Sequence, residues 1–108
     1  MFEKILTDPA ALLRHRSAPF ADERERYLQH CADFGAAPNS LRDKCAGLLF
    51  LATHLGPHAA DGVDLGRLQQ IAKSKQPATG GGLSTERTLI DIGRPWLKYL
   101  GWWRNPVI

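Results

Sequence analysis

The chain has 108 residues, 44% apolar and 23% charged, a balance that suits one compact folded domain and argues against a disordered chain. A chain of this length can bury a core without help from a metal or a disulfide. Its net charge of +3 is too mild to select a partner by itself. The two cysteines, Cys31 and Cys45, fit a reducing compartment, because small secreted domains held by disulfides carry more. The opening Met-Phe-Glu-Lys-Ile-Leu is too short and polar for a signal peptide, and the longest apolar run, residues 46–53, is too short to cross a bilayer. A soluble cytoplasmic protein is the expectation, with no membrane partner.

Helix signals recur along the chain, and no period-2 alternation points to a strand. Asp8-Pro9 reads as an N-cap followed by proline at the first helical position, opening a short helix to about residue 15. A second helix is expected over residues 19–34. Phe20, Tyr27, Leu28, Cys31 and Phe34 lie on one face, Asp22 and Arg26 pair on the wet side, and Gly35 ends it. Asn39 or Ser40 then caps a helix whose core stripe is Leu41, Cys45, Leu48, Leu49, Ala52 and Leu55. Phe50 and Leu51 lie off that stripe, which predicts a central helix packed on more than one side. Gly56-Pro57 stops it.

Asp64 caps a shorter helix to about Lys75, with Val63 and Leu68 spaced as a hydrophobic staple. Gly80 to Gly82 form a loop without the spacing of a phosphate-binding motif. The last helix starts near Ser84 or Thr85. It places Leu89, Ile92, Trp96, Tyr99, Leu100 and Trp103 on one face, and Arg87, Asp91, Arg94 and Lys98 on the other. The apolar phase runs through Pro95, which predicts one kinked helix rather than two. The expected fold is all-α: a compact bundle of four main helices, residues 20–108, behind a short N-terminal helical arm, residues 1–19.

The residues offer no catalytic or metal constellation. His30, Cys31, Cys45, His54 and His58 lack metal-ligand spacing, and Cys31 and Cys45 read as core thiols. No serine sits in a nucleophile elbow, and Asp22, Glu23 and Glu25 share a solvated face with arginines. No active site, metal or cofactor is expected in this chain. Charge is unevenly distributed. Residues 20–34 hold four acidic groups against Arg24 and Arg26, whereas residues 80–108 hold Arg87, Arg94, Lys98 and Arg104 against Glu86 and Asp91.

Two basic clusters stand out. Arg87, Arg94 and Lys98 span about three turns of helix, a spacing suited to tracking a phosphate backbone, although a merely solvated face fits equally well. Asn39 and Ser40, with Arg42 and Lys44, open the central helix, where free N–H groups and the positive dipole end favour a phosphate. Capping alone would explain Asn39 and Ser40 but not the two cations. Trp96 and Trp103 read as core, and Trp102 falls off the stripe.

The run Arg14-His15-Arg16-Ser17-Ala18-Pro19-Phe20, followed by Glu23-Arg24-Glu25-Arg26-Tyr27-Leu28-Gln29-His30-Cys31, resembles the opening of bacterial site-specific integrases of the tyrosine recombinase family. Asn39-Ser40-Leu41-Arg42 resembles the polar start of their second helix, and Trp96-Leu97-Lys98-Tyr99-Leu100-Gly101-Trp102 resembles the end of their N-terminal domain. The resemblance implies a core-binding, SAM-like helical domain that clamps duplex DNA during DNA integration and recombination. The arginines, histidine and nucleophilic tyrosine would lie on a C-terminal catalytic domain beyond Ile108. Tyr27 and Tyr99 sit at core positions and are not nucleophile candidates. Under this reading Asn39, Ser40, Arg42, Lys44, Arg87, Arg94 and Lys98 contact DNA, and neighbouring recombinase protomers are further partners. The competing expectation is a helical protein–protein module that docks through Trp102, Trp103 and residues 106–108.

Overall fold

The computed structural model describes residues 2–73 and 86–104. The class is all-α, as the helix periodicity predicts. The elements are α1 (Phe2–Ile5), α2 (Pro9–Ser17), α3 (Ala21–Asp33), α4 (Pro38–Leu55), a 3-10 turn (Ala59–Asp61), β1 (Val63–Asp64), α5 (Leu65–Lys73), α6 (Glu86–Leu100) and β2 (Trp103–Arg104). Lys75, the Gly80–Gly82 loop, a helix start at Ser84 or Thr85, and residues 106–108 lie outside the described residues. The chain forms two compact units, residues 1–53 and 54–108, a division placed differently from the expected arm and core.

In the first unit, the Asp8 side chain accepts from the Ala10 amide at 3.3 Å and Pro9 opens α2. Gly35, with φ of 91°, ends α3: its amide bonds the Ala32 carbonyl and that of Ala36 bonds Cys31. That pair of bonds is the Schellman arrangement, which satisfies carbonyls left over at a helix end. The buried apolar residues of this unit are Phe2, Ile5, Tyr27, Leu28, Leu41, Cys45, Leu48, Leu51 and Ala52. Leu49 and Phe50 are half-buried, so α4 is packed beyond a single stripe. Phe34 departs from its expected core position. It lies at the C-cap of α3, past the last helical turn, and is 81% exposed. Arg26 meets Glu23 at 3.8 Å, not the Asp22 side chain.

The second unit contains a two-residue parallel pair that the sequence pattern does not announce. Val63 registers with Trp103 and Asp64 with Arg104. Gly101, with φ of 79°, ends α6 in a second Schellman turn, its amide bonding the Lys98 carbonyl and that of Trp102 bonding Leu97. This turn delivers the chain back to β1, where the Val63 amide bonds the Trp102 carbonyl at 2.8 Å. Asp64 caps α5 by accepting from the Arg67 amide at 2.8 Å, and Val63 and Leu68 are both buried, as a staple requires. Asp64→Ala should lower the urea unfolding free energy by about 1 kcal/mol, the usual worth of an N-cap. An unchanged midpoint would show that the cap contributes nothing.

Helix α6 continues through Pro95. Its buried residues are Leu89, Ile92, Trp96 and Leu97. Tyr99 is 43% exposed, which corrects its expected core position, and Trp103 lies beyond the end of the helix. The helix terminates at Leu100, so Trp103 does not belong to its wheel, and the buried face extends through Leu97, about 200° from Tyr99, which leaves Tyr99 at the edge of that face.

Candidate nucleic-acid interface

Pro38 is the first residue of α4, and the first helical bond runs from the Leu41 amide to the Ala37 carbonyl. Asn39 and Ser40 therefore sit inside the first turn rather than in front of it. This corrects the expectation that either caps the helix. Both side chains are exposed, as is Arg42, whereas Lys44 is half-buried. The structure adds a residue that spacing did not reveal. Lys4, at the end of α1, lines one cavity of about 230 Å³ together with Arg42, Ile5, Gln29 and Leu41. Among the described residues, neither Lys4 nor Arg42 forms an ion pair, and the nearby Glu3 carboxylate is held by Arg16 at 3.1 Å.

On α6, Arg87 and Lys98 are exposed. Arg87 approaches Asp91 at 3.9 Å, a contact between two open side chains that contributes little. Arg94 differs from the other two. It is half-buried, its guanidinium lies 5.5 Å from the centre of the Trp103 ring, and its Nε is buried without a hydrogen-bond partner. The expected open face thus keeps Arg87, Asp91 and Lys98, while Arg94 is turned partly onto an aromatic ring. Trp102 and Trp103 are half-buried, and the Trp102 ring packs against Trp96 with centroids 6.4 Å apart.

Sequence reasoning also missed a buried polar cluster in the first unit. Arg24 is fully buried and donates to three backbone carbonyls: His15 at 2.6 Å, Pro19 at 3.0 Å and Ala18 at 3.2 Å. Its guanidinium also lies 5.3 Å from the Phe2 ring centre. The signal was present, because Arg24 falls on the same helical face as Phe20, Tyr27 and Leu28. The buried His15 ring has its Nδ1 3.5 Å from the Cys45 sulfur. Burial pushes the Cys45 thiol up to about 11, so it stays protonated and is not a nucleophile.

His15 is held below the ordinary histidine range, first by burial and then by the charges of Arg24 and Arg14. Its folded state therefore binds a proton less readily than its unfolded state. The stability from neutral His15 is complete above about pH 7.5 and falls as pH drops through the unfolded value near 6.5. The urea midpoint should decrease between pH 7.5 and 5.5, and His15→Gln should flatten that dependence. An equally steep fall in the variant would assign the effect elsewhere.

No group of three or more His, Cys, Asp or Glu side chains among the described residues is arranged to hold a metal, and no described helix is long and apolar enough to cross a membrane. Comparison with family models, curated proteins and solved structures finds no match to this chain.

Proposed function

We propose that this chain binds duplex DNA non-covalently, as the N-terminal domain of a cytoplasmic site-specific tyrosine recombinase whose catalytic domain is a separate segment. The observation that carries the reading is the start of α4. Asn39, Ser40 and Arg42 are exposed together, and Lys4 shares a cavity with Arg42. First-turn N–H groups have no intrahelical partners, and with the positive helix end they suit a phosphate oxygen. Arg87 and Lys98 on α6 form a second, separate set of exposed cations. These groups address phosphates, so they orient the protein on a duplex without reading its bases. Trp102 and Trp103 are engaged inside their own unit, and no observation favours the docking module.

The test is a titration of the 108-residue chain against random-sequence duplex at two salt concentrations. Phosphate contacts from Lys4, Arg42, Arg87 and Lys98 predict a log–log salt slope of about −3.6. Affinity should then fall roughly 150-fold between 50 and 200 mM salt. Absence of binding at 50 mM, or affinity indifferent to salt, rejects the proposal.

A further inference from the structure

A second cavity, of about 520 Å³, lies in the 54–108 unit beside the 3-10 turn. Two arginines line it, Arg67 from the first turn of α5 and Arg104 from β2. Both are fixed by neutral groups. The Arg104 guanidinium donates twice to the Asp61 carbonyl, from Nη2 at 2.6 Å and from Nε at 3.2 Å. To do so its side chain lies across Gly62, where an added Cβ would overlap Nε, Cγ and Cδ. Gly62 also has φ of 131°, a conformation that side-chain-bearing residues rarely adopt. Arg67 donates from Nη2 to the His54 carbonyl at 3.3 Å and from Nη1 to Gln70 at 3.5 Å.

Among the described residues, neither guanidinium forms an ion pair. The nearby acids have other partners. Asp64, on the cavity wall, accepts the Arg67 amide at 2.8 Å, and Asp61 faces His58 at 3.5 Å. Two full positive charges are thus anchored by carbonyl and amide oxygens while their remaining N–H groups are uncommitted. Anchoring beforehand removes much of the ordering entropy that binding would otherwise cost. Guanidinium forks match the paired oxygens of a phosphate, and the cavity has room for more than a carboxylate.

We propose that this cavity is a phosphate-binding site, with the anion held between Arg67 and Arg104. The source of the phosphate, a duplex backbone or the free anion, rests on the DNA-binding reading; the site itself does not.

The experiment uses the full chain and follows the Arg67 and Arg104 Nε–H and Gly62 amide resonances by NMR. One arm adds inorganic phosphate against chloride at equal ionic strength, and the other adds random duplex. Phosphate should shift these resonances saturably where chloride does not, and Arg104→Gln should remove the response. Under the duplex source, Arg67→Gln and Arg104→Gln should each weaken duplex binding about fivefold to tenfold and reduce the salt slope by about one. The wild-type phosphate titration does not depend on the variants folding. If phosphate shifts the resonances but duplex does not bind, the site stands with free phosphate as its ligand and the DNA-binding reading fails. If duplex binds with both variants at wild-type affinity and phosphate is silent, the site is refuted and the α4 and α6 contacts are untouched.

Discussion

Replacing Arg24 with alanine is expected to lower the unfolding free energy by about 3–5 kcal/mol, a large share of a total typically near 5–15. The loss begins at the corner between α2 and α3. There Phe20 holds a left-handed backbone with φ of 57°, which a residue with a side chain adopts only under constraint. Arg24 supplies the constraint by gathering the carbonyls of His15, Ala18 and Pro19. Without it, those acceptors lose their donor and Phe2 loses the cation on its ring. Part of the loss is offset, because a buried guanidinium is costly to desolvate. The order of variants tests the account. Arg24→Lys keeps the buried charge but cannot fork to three oxygens, whereas Arg24→Met removes charge and bonds together. Arg24→Lys should therefore be no more stable than Arg24→Met in urea melts. A lysine variant with the wild-type midpoint would show that the carbonyl bonds do not hold the corner.

Arg24 also shows where a single sequence stops being legible. Helices were readable where the chain punctuates them: Asp8-Pro9, Gly35, Gly56-Pro57 and Asp64 all carry local chemistry that starts or stops a helix. Helix α1 has four residues and no such punctuation; it is tied down by the burial of Phe2 and Ile5 and by the Phe2 amide bonding Glu25 at 3.0 Å. Those partners are distant in sequence, so propensity does not reveal them. The charge count located Arg104 as one basic residue among several but could not bring it near Arg67. That meeting depends on the two-residue pairing of Val63 and Asp64 with Trp103 and Arg104, forty positions downstream. At the candidate interface, α4 and α6 are legible as helices and the exposure of Arg42, Arg87 and Lys98 follows from their phase, whereas Asn39 and Ser40 enter the first turn because α4 starts at Pro38. Lys4 beside Arg42, and Arg94 turned onto Trp103, come from tertiary packing.

Charge reversal at Arg42 and Lys98 together is expected to weaken duplex binding about a hundredfold at 0.1 M salt. A counterion slope of about 0.9 per phosphate contact corresponds to roughly eightfold at that concentration, so losing two contacts costs about sixtyfold. The added glutamates repel the backbone further. These two positions are preferable to Arg94, whose replacement would also strip the cation from the Trp103 ring and confuse binding with packing. Arg42 and Lys98 are exposed, so Arg42→Glu and Lys98→Glu should leave the urea unfolding free energy within about 0.5 kcal/mol of wild type. Each single variant should also reduce the salt slope by about one, and should do so alike on unrelated duplex sequences, because phosphate contacts carry no base information. A double variant that folds normally and binds like the wild type would remove both helices from the interface. A loss confined to one duplex sequence would mean that these side chains reach base edges, a different mechanism from the one their phosphate chemistry supports.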